Sequence, residues 1–148
     1  MKISFVAGFG PIVRDIAGSR RFWGDGLGIS LTEAAPDYWT NDDTDGVKAF
    51  ALWPLSQAAE STFGTDVWPD EVPVPQAWIE LDVESAEAVG PAVEELEAAG
   101  FRLLRGVHEE PWGQTTSRLQ SPEGLLVGVT YTPWMHDGTK DPGAATDS

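Results

Sequence analysis

The same order of patterns occurs twice along this chain, and few folds can satisfy it. In the first half Phe9 to Val13 is an apolar run. Asp15 follows as a helix N-cap, Ile16, Ser19/Arg20 and Trp23 have helical spacing, and the segment closes in Gly24-Asp25-Gly26-Leu27-Gly28. Ile29-Ser30-Leu31-Thr32 then alternates apolar with polar, the period of a half-buried strand. Asn41-Asp42-Asp43-Thr44-Asp45-Gly46 supplies the side-chain caps and left-handed backbone of a tight turn. It predicts a hairpin joining a strand near Tyr38-Trp39 to the apolar run Val47 to Trp53, ended by Pro54. In the second half Ala77 to Asp82 alternates like a strand. Ser85 to Ala99 is an acidic amphipathic helix with Val89, Val93 and Leu96 on one face, and Gly100 caps it. Pro91 fits that helix in its first turn, where it removes no intrahelical donor. Strands are expected at Phe101 to Leu104, Thr115 to Gln120 and Leu125 to Tyr131, the last two joined by the turn Ser121-Pro122-Glu123-Gly124. Each half therefore reads β-α-β-β-β, with helix-ending glycines Gly28 and Gly100 spaced 72 residues apart. That period is too long for a solenoid.

Between the halves Ser56 caps one short helix through Phe63, and Trp68 to Pro75 is too proline-rich for a sheet interior. The expected organisation is one domain over residues 1–136, with module one at 5–54, a connector at 55–75 and module two at 76–134. Residues 137–148 lack apolar periodicity and are expected to form a flexible tail. A chain of 148 residues with 41% hydrophobic and 10% aromatic residues can bury a core, unlike a disordered acidic protein. Its 9 Lys+Arg against 24 Asp+Glu, net charge -15, make nucleic acid and anionic membranes poor partners but leave cationic ligands open. The absence of Cys excludes disulfides, thiolate metal sites and cysteine nucleophiles. There is no apolar run of membrane-spanning length and no signal-peptide core, so a cytoplasmic protein is expected.

Several residue groups together resemble the vicinal oxygen chelate superfamily, which includes glyoxalase I, extradiol dioxygenases, fosfomycin-resistance enzymes and bleomycin-resistance proteins. In the first half the groups are Val13-Arg14-Asp15-Ile16, Ser19, Phe22-Trp23 and Leu27-Gly28. In the second they are Glu95 to Phe101, Pro111-Trp112-Gly113-Gln114 and Ser121 to Val127. The resemblance implies an α+β fold in which two β-α-β-β-β modules form a curved open mixed sheet around a pocket, and commonly a homodimer.

Metalloenzymes of that superfamily place His, Glu or Gln ligands at equivalent strand positions of the two modules. Carried onto this sequence, those positions fall at Gly8, at Gln76 or Ala77, and at Gly128, and Phe50-Ala51-Leu52-Trp53 offers no ligand. One amide cannot hold a catalytic cation, so no metal and no other cofactor is expected. The two histidines, His108 and His136, are read as surface residues in a loop and at the start of the tail. No nucleophilic triad, P-loop or dinucleotide motif is present. Glu80 and Asp82 share one strand face. Glu80 serves either as a buried acid or base, or as a solvent-facing carboxylate.

The 7 Trp carry more information. Trp23 is read as core. Trp39, Trp53, Trp68, Trp78 and Trp112 each either border the pocket or pack, since an indole offers a flat apolar face and one N–H donor. The resulting expectation is a metal-independent small-molecule binding protein resembling the drug-sequestering bleomycin-resistance proteins, with a cationic or planar aromatic ligand. Its candidate ligand-binding residues are Trp39, Phe50, Trp53, Trp68, Gln76, Trp78, Glu80, Trp112 and Gln114, with Glu80 paired to a positive group. The alternative is a glyoxalase- or dioxygenase-like lyase, isomerase or oxidoreductase with a non-standard or absent metal site.

Overall fold

The computed structural model describes residues 1–136; the expected tail, 137–148, lies outside the described residues. Eight strands form one open mixed sheet: β1 (Phe5–Val13), β2 (Thr32–Ala35), β3 (Tyr38–Asn41), β4 (Ala49–Pro54), β5 (Ala77–Asp82), β6 (Arg105–Glu109), β7 (Thr115–Gln120) and β8 (Leu126–Thr130). Their order across the sheet is β2-β3-β4-β1-β5-β8-β7-β6. Each half has the same layout, because β1 pairs in parallel with β4 as β5 does with β8, and the halves join where β1 meets β5 antiparallel. This is the α+β sheet of two β-α-β-β-β units expected from the sequence. No described helix is long and apolar enough to cross a membrane.

The helices are α1 (Ile16–Arg20), extended by a π-helical turn over Arg21–Gly26, α2 (Leu55–Phe63) and α3 (Val89–Ala98), entered through a 3-10 turn at Ala86–Ala88. The Asp15 carboxylate caps α1 by accepting from Gly18 N at 3.0 Å. Ser85 caps the 3-10 turn through Ala88 N at 3.2 Å. Gly28 and Gly100 take φ of +79° and +94°, the left-handed backbone on which each helical segment ends. Alternation along the strands decides what covers each face. Val13, Phe50 and Leu52 pack with Ile16 and Trp23 of the first helical segment. Val83 and Val129 pack with Val89, Ala92, Val93 and Leu96 of α3, the predicted apolar face. Ala51, Trp53, Trp78 and Leu126 gather with Ala58 and Ala59 of α2 and with Trp68.

Three sequence expectations need correction. The strand expected at Ile29 to Thr32 forms at Thr32–Ala35. β3 is only four residues long and meets Thr32 with Thr40, so Ile29 and Leu31 have no partner on β3; Ile29 N instead donates to Trp23 O at 3.2 Å, and both side chains pack against the cluster of Val13 and Phe50. The strand expected at Phe101 to Leu104 forms at Arg105–Glu109. Phe101 is used by the helix end, where its N–H donates to Leu96 O at 3.0 Å. Ser56 lies inside α2, whose N-cap is Pro54, so the expected side-chain cap is absent there. The hairpin at 41–46 forms as predicted. Asn41 Oδ1 accepts from Asp43 N at 2.9 Å and Thr44 Oγ1 at 3.0 Å, and Gly46 takes φ +97°.

Candidate functional site

One row of residues runs across five adjacent strands. Gly8 stands beside Ala49 of β4 and Glu80 of β5, Glu80 beside Gly128 of β8, and Gly128 beside Arg118 of β7. Three of these five positions carry no more than a methyl group, and the two glycines make room for large neighbours. A Cβ on Gly8 would lie 2.6 Å from the Trp78 ring. On Gly128 it would lie 2.5 Å from Arg118 Nη1 and 3.1 Å from Glu80 Cγ. Above this row is a cavity of 610 Å³. Trp53, Trp78, Trp112 and Trp134 supply its indole walls, Tyr38 and Asp42 one side, and Glu80, Gln114 and Arg118 its polar floor. Trp53 and Trp78 meet edge to face, with ring centroids 5.6 Å apart.

The polar floor is one connected network. Arg118, 1% exposed, donates from Nη1 to Glu80 Oε2 at 2.7 Å, and Glu80 is itself only 7% exposed. Gln114 Nε2 donates to Glu80 Oε1 at 3.0 Å and to Thr132 Oγ1 at 2.7 Å. Trp112 Nε1 donates to Gln114 Oε1 at 2.6 Å, so the amide orientation is fixed from both ends. Both Glu80 oxygens are therefore engaged. Burying two charges costs several kcal/mol each in effective terms, and only close pairing offsets it. The guanidinium also lies 5.1 Å from the centroid of Trp53, and its Nη2 is 3.6 Å from Glu110 Oε2. Among the described residues Nε and Nη2 of Arg118 find no hydrogen-bond partner. Leaving such a donor unpaired costs about 1–3 kcal/mol.

Two further buried acids hold the walls. Ser61 of α2 hydrogen-bonds the Glu110 carboxylate, and His108 Nε2 stands 3.4 Å from its other oxygen. Asp82, fully buried, accepts from Thr132 N at 2.7 Å and Thr132 Oγ1 at 3.0 Å, with His136 Nε2 at 2.8 Å. These bonds hold the 132–136 segment that brings Trp134 to the cavity. Burial pushes the Asp82 carboxyl above the usual carboxylate range, against the pull of the Thr132 and His136 bonds. Burial, and then the Glu80 and Asp42 charges, push the Tyr38 phenol well above its ordinary value, with Arg118 opposing. The phenol therefore keeps its proton and acts in the cavity as a donor. A larger but open depression of 860 Å³, between the 42–48 turn and the 133–135 turn, has no buried polar group in its lining.

The metal-binding positions can be tested on this geometry. Register puts Glu80, rather than Gln76 or Ala77, in line with Gly8 and Gly128; Ala77 pairs with Pro11, and Gln76 is exposed. Glu80 is the one ligand-type side chain in the row, its oxygens are taken by Arg118 and Gln114, and a guanidinium stands beside it. No group of three or more His, Asp or Glu that could hold a metal ion occurs among the described residues. This donor set does not fit a divalent cation, which needs several free anionic or imidazole ligands and no cation in contact.

Of the residues singled out in the sequence, Trp53, Trp78, Glu80, Trp112 and Gln114 line the cavity. The other four lie elsewhere. Phe50 faces the opposite side of β4 and packs on Trp23 at 5.4 Å. Trp39, opposite Leu52, lies under the Arg20 guanidinium at 3.6 Å. Trp68 packs edge-on to Phe63 and donates to Val72 O at 3.0 Å, fastening the connector. The Gln76 backbone carbonyl accepts from Ile12 N at 2.9 Å. His108, expected in a loop, lies on β6 opposite Thr116, and His136, expected at the surface, packs against Tyr131 and Phe5 beside Asp82. Sequence reasoning missed Arg118, Tyr38 and Trp134. The alternation Gln114, Thr116, Arg118 was a readable signal that the arginine shares a face with Gln114.

The arrangement has relatives. A model of the Glyoxalase/Bleomycin resistance protein/Dioxygenase superfamily matches residues 7–129. The chain belongs to this superfamily. Solved structures agree on the fold. A superfamily member from Vibrio splendidus superposes with a TM-score of 0.56 at 19% identity, covering 86% of this chain and 97% of that one. A structure described as an NAD-dependent benzaldehyde dehydrogenase from Legionella pneumophila gives 0.59 at 14% identity, over 84% and 96% of the two chains. The Mn(II)-bound glyoxalase from Novosphingobium aromaticivorans gives 0.50 at 22% identity, covering 88% of this chain and 38% of the longer one. No curated protein matches the chain. Superfamily membership establishes the sheet and its cavity and leaves the chemistry to the residues of the floor.

Proposed function

We propose that this superfamily member binds a planar small molecule in the 610 Å³ cavity without a metal ion, in the sequestering manner of bleomycin-resistance proteins. One observation carries the reading: four indoles surround a single cavity whose floor row holds glycine, alanine and an Arg118–Glu80 pair where a cation would need ligands. Trp rings give large rigid contact area at small entropic cost, and stacking suits a flat ligand. Glu80 is a poor free base here, because each of its oxygens already accepts a hydrogen bond. For the same reason it is a poor partner for a cationic ligand, which would have to displace Arg118. A cytoplasmic homodimer completes the proposal, and mass measurement by light scattering tests the dimer.

Intrinsic fluorescence and thermal unfolding with flat bicyclic probes test the binding. Quenching together with a raised Tm is expected, and Trp112→Ala, at a residue 48% exposed on the rim, should weaken binding about tenfold while leaving the fold intact. Trp68→Phe, away from the cavity, should bind as the parent does. Neither quenching nor a Tm shift with any flat probe would overturn the proposal.

A further inference from the structure

Two donors of the cavity wall are left without a partner in the protein. The N–H groups of Trp78 and Trp112 are used, the first by Ala51 O at 3.3 Å and the second by Gln114 Oε1 at 2.6 Å. The Trp53 N–H and the Tyr38 hydroxyl find no hydrogen-bond partner among the described residues, yet neither is closed off as Nε and Nη2 of Arg118 are. Trp53 is only 6% exposed and borders this cavity, so the surface that its N–H keeps is cavity surface.

The two donors stand side by side. β3 runs antiparallel to β4 with Trp39 opposite Leu52, and the same register puts Tyr38 opposite Trp53 on the cavity face. Cross-strand neighbours of this kind have Cβ atoms about 4.5–5.5 Å apart. On the strands between Tyr38 and Glu80 the cavity lining is Ala7, Gly8, Ala49 and Trp53, so Trp53 is the one side chain there larger than a methyl group. The phenol therefore has room to lean over the floor, where burial and then the Glu80 charge keep its proton in place.

The acceptors nearby are already engaged. Both Glu80 oxygens and Gln114 Oε1 take hydrogen bonds from the protein, and Asp42, which accepts from Thr40 Oγ1 at 3.2 Å, is exposed at the mouth. An indole N–H can only donate, and so does a phenol whose proton is held, so the missing partner is an acceptor supplied by the ligand. The Glu80 and Asp42 charges that oppose a phenolate at Tyr38 oppose an anionic ligand oxygen at the same place. Resting on the planar-ligand reading above, we propose that Tyr38 and Trp53 form a donor pair on the β3–β4 wall that selects a flat ligand bearing a neutral acceptor oxygen. The indole faces hold the ring, and Tyr38 is the residue that distinguishes an oxygenated ring from a bare hydrocarbon.

Four bicyclic probes of nearly equal size test this on the full chain by equilibrium dialysis: naphthalene, coumarin, 2-naphthoate and N-methylquinolinium. Coumarin, a neutral lactone, should bind about fivefold or more tightly than naphthalene, the gain expected of a neutral hydrogen bond, and more tightly than either ion. Tyr38→Phe removes only the hydroxyl, which bonds nothing in the protein, and should cut the coumarin-to-naphthalene preference about fivefold without lowering Tm. The infrared carbonyl stretch of bound coumarin reads the contact directly: it should lie lower in the parent protein than in Tyr38→Phe. Equal binding of naphthalene and coumarin would overturn the donor pair and leave the planar-ligand proposal standing. A coumarin preference and carbonyl stretch unchanged in Tyr38→Phe would overturn the role of Tyr38. Tightest binding of 2-naphthoate or of N-methylquinolinium would overturn the selection of a neutral oxygen. If no probe binds, the planar-ligand proposal fails and this inference fails with it.

Discussion

Gly8 and Gly128 decide what can stand on the floor of the cavity. A methyl group at residue 8 would lie 2.6 Å from Trp78 ring atoms that are themselves packed, so Gly8→Ala should cost about 1–3 kcal/mol, read as a lower urea midpoint at unchanged slope. At residue 128 the nearest atom is the end of the Arg118 side chain, 2.5 Å away, which can move. Gly128→Ala should therefore damage ligand binding more than stability. Arg118→Met leaves Glu80 buried without its counter-charge, and about 3–5 kcal/mol of stability should be lost. Asp82 gives a pH signature. Its folded pKa is raised, so the stability it contributes is fully present below the unfolded carboxylate range and is lost as pH rises through the folded value. Asn does not titrate, so the stability of the parent minus that of Asp82→Asn should shrink as pH rises from about 3 to 5.5, below the range of an ordinary histidine. Thermal unfolding across that range reads the difference, and a difference that grows with pH contradicts the assignment. Glu80 was legible in the sequence because alternation marks a strand face, and Gln114 because it belongs to the Pro111-Trp112-Gly113-Gln114 group that carries the family resemblance. Arg118 was legible only in part, since no local pattern shows that a distant glycine makes room for it.

Among the elements, those with local causes were readable and those set by pairing were not. The Asp15 cap, the turn at 41–46 and the apolar face of α3 each follow from a few adjacent residues, and each formed as the spacing predicts. β2 and β6 shifted along the chain because their limits depend on the length of β3 and on the helix end at Phe101, both remote from the alternating pattern itself. Phe50, one of the four candidates that lie away from the cavity, shares this origin: which side of β4 meets α1 decides where it packs, and the periodicity of β4 is equally compatible with either side. The tightest element contact lies where β1 passes β4. A Cβ on Gly10 would fall 1.9 Å from the Ala51 carbonyl oxygen, a backbone atom that cannot swing away. Gly10→Ala should be the most damaging single methyl addition in the sheet, exceeding the about 1–3 kcal/mol of ordinary overpacking, and a circular-dichroism melt close to that of the parent would contradict this contact.

For the whole molecule the repeated β-α-β-β-β order determines where a site can form. The two halves meet at β1 and β5, and their parallel partners β4 and β8 bring Ala49 and Gly128 into line with Gly8 and Glu80 at that junction. The sheet therefore offers a row of central positions, and the residues placed there set the chemistry. In this chain the row holds an arginine–glutamate pair under indole walls, which is the basis for proposing ligand binding that needs no cation. The most direct test is coumarin binding measured before and after exhaustive chelation, with the metal content of the same protein determined alongside. Equal affinity in both samples, with substoichiometric metal in the untreated one, is the predicted result. Binding that disappears on chelation and returns with a single divalent cation would contradict it.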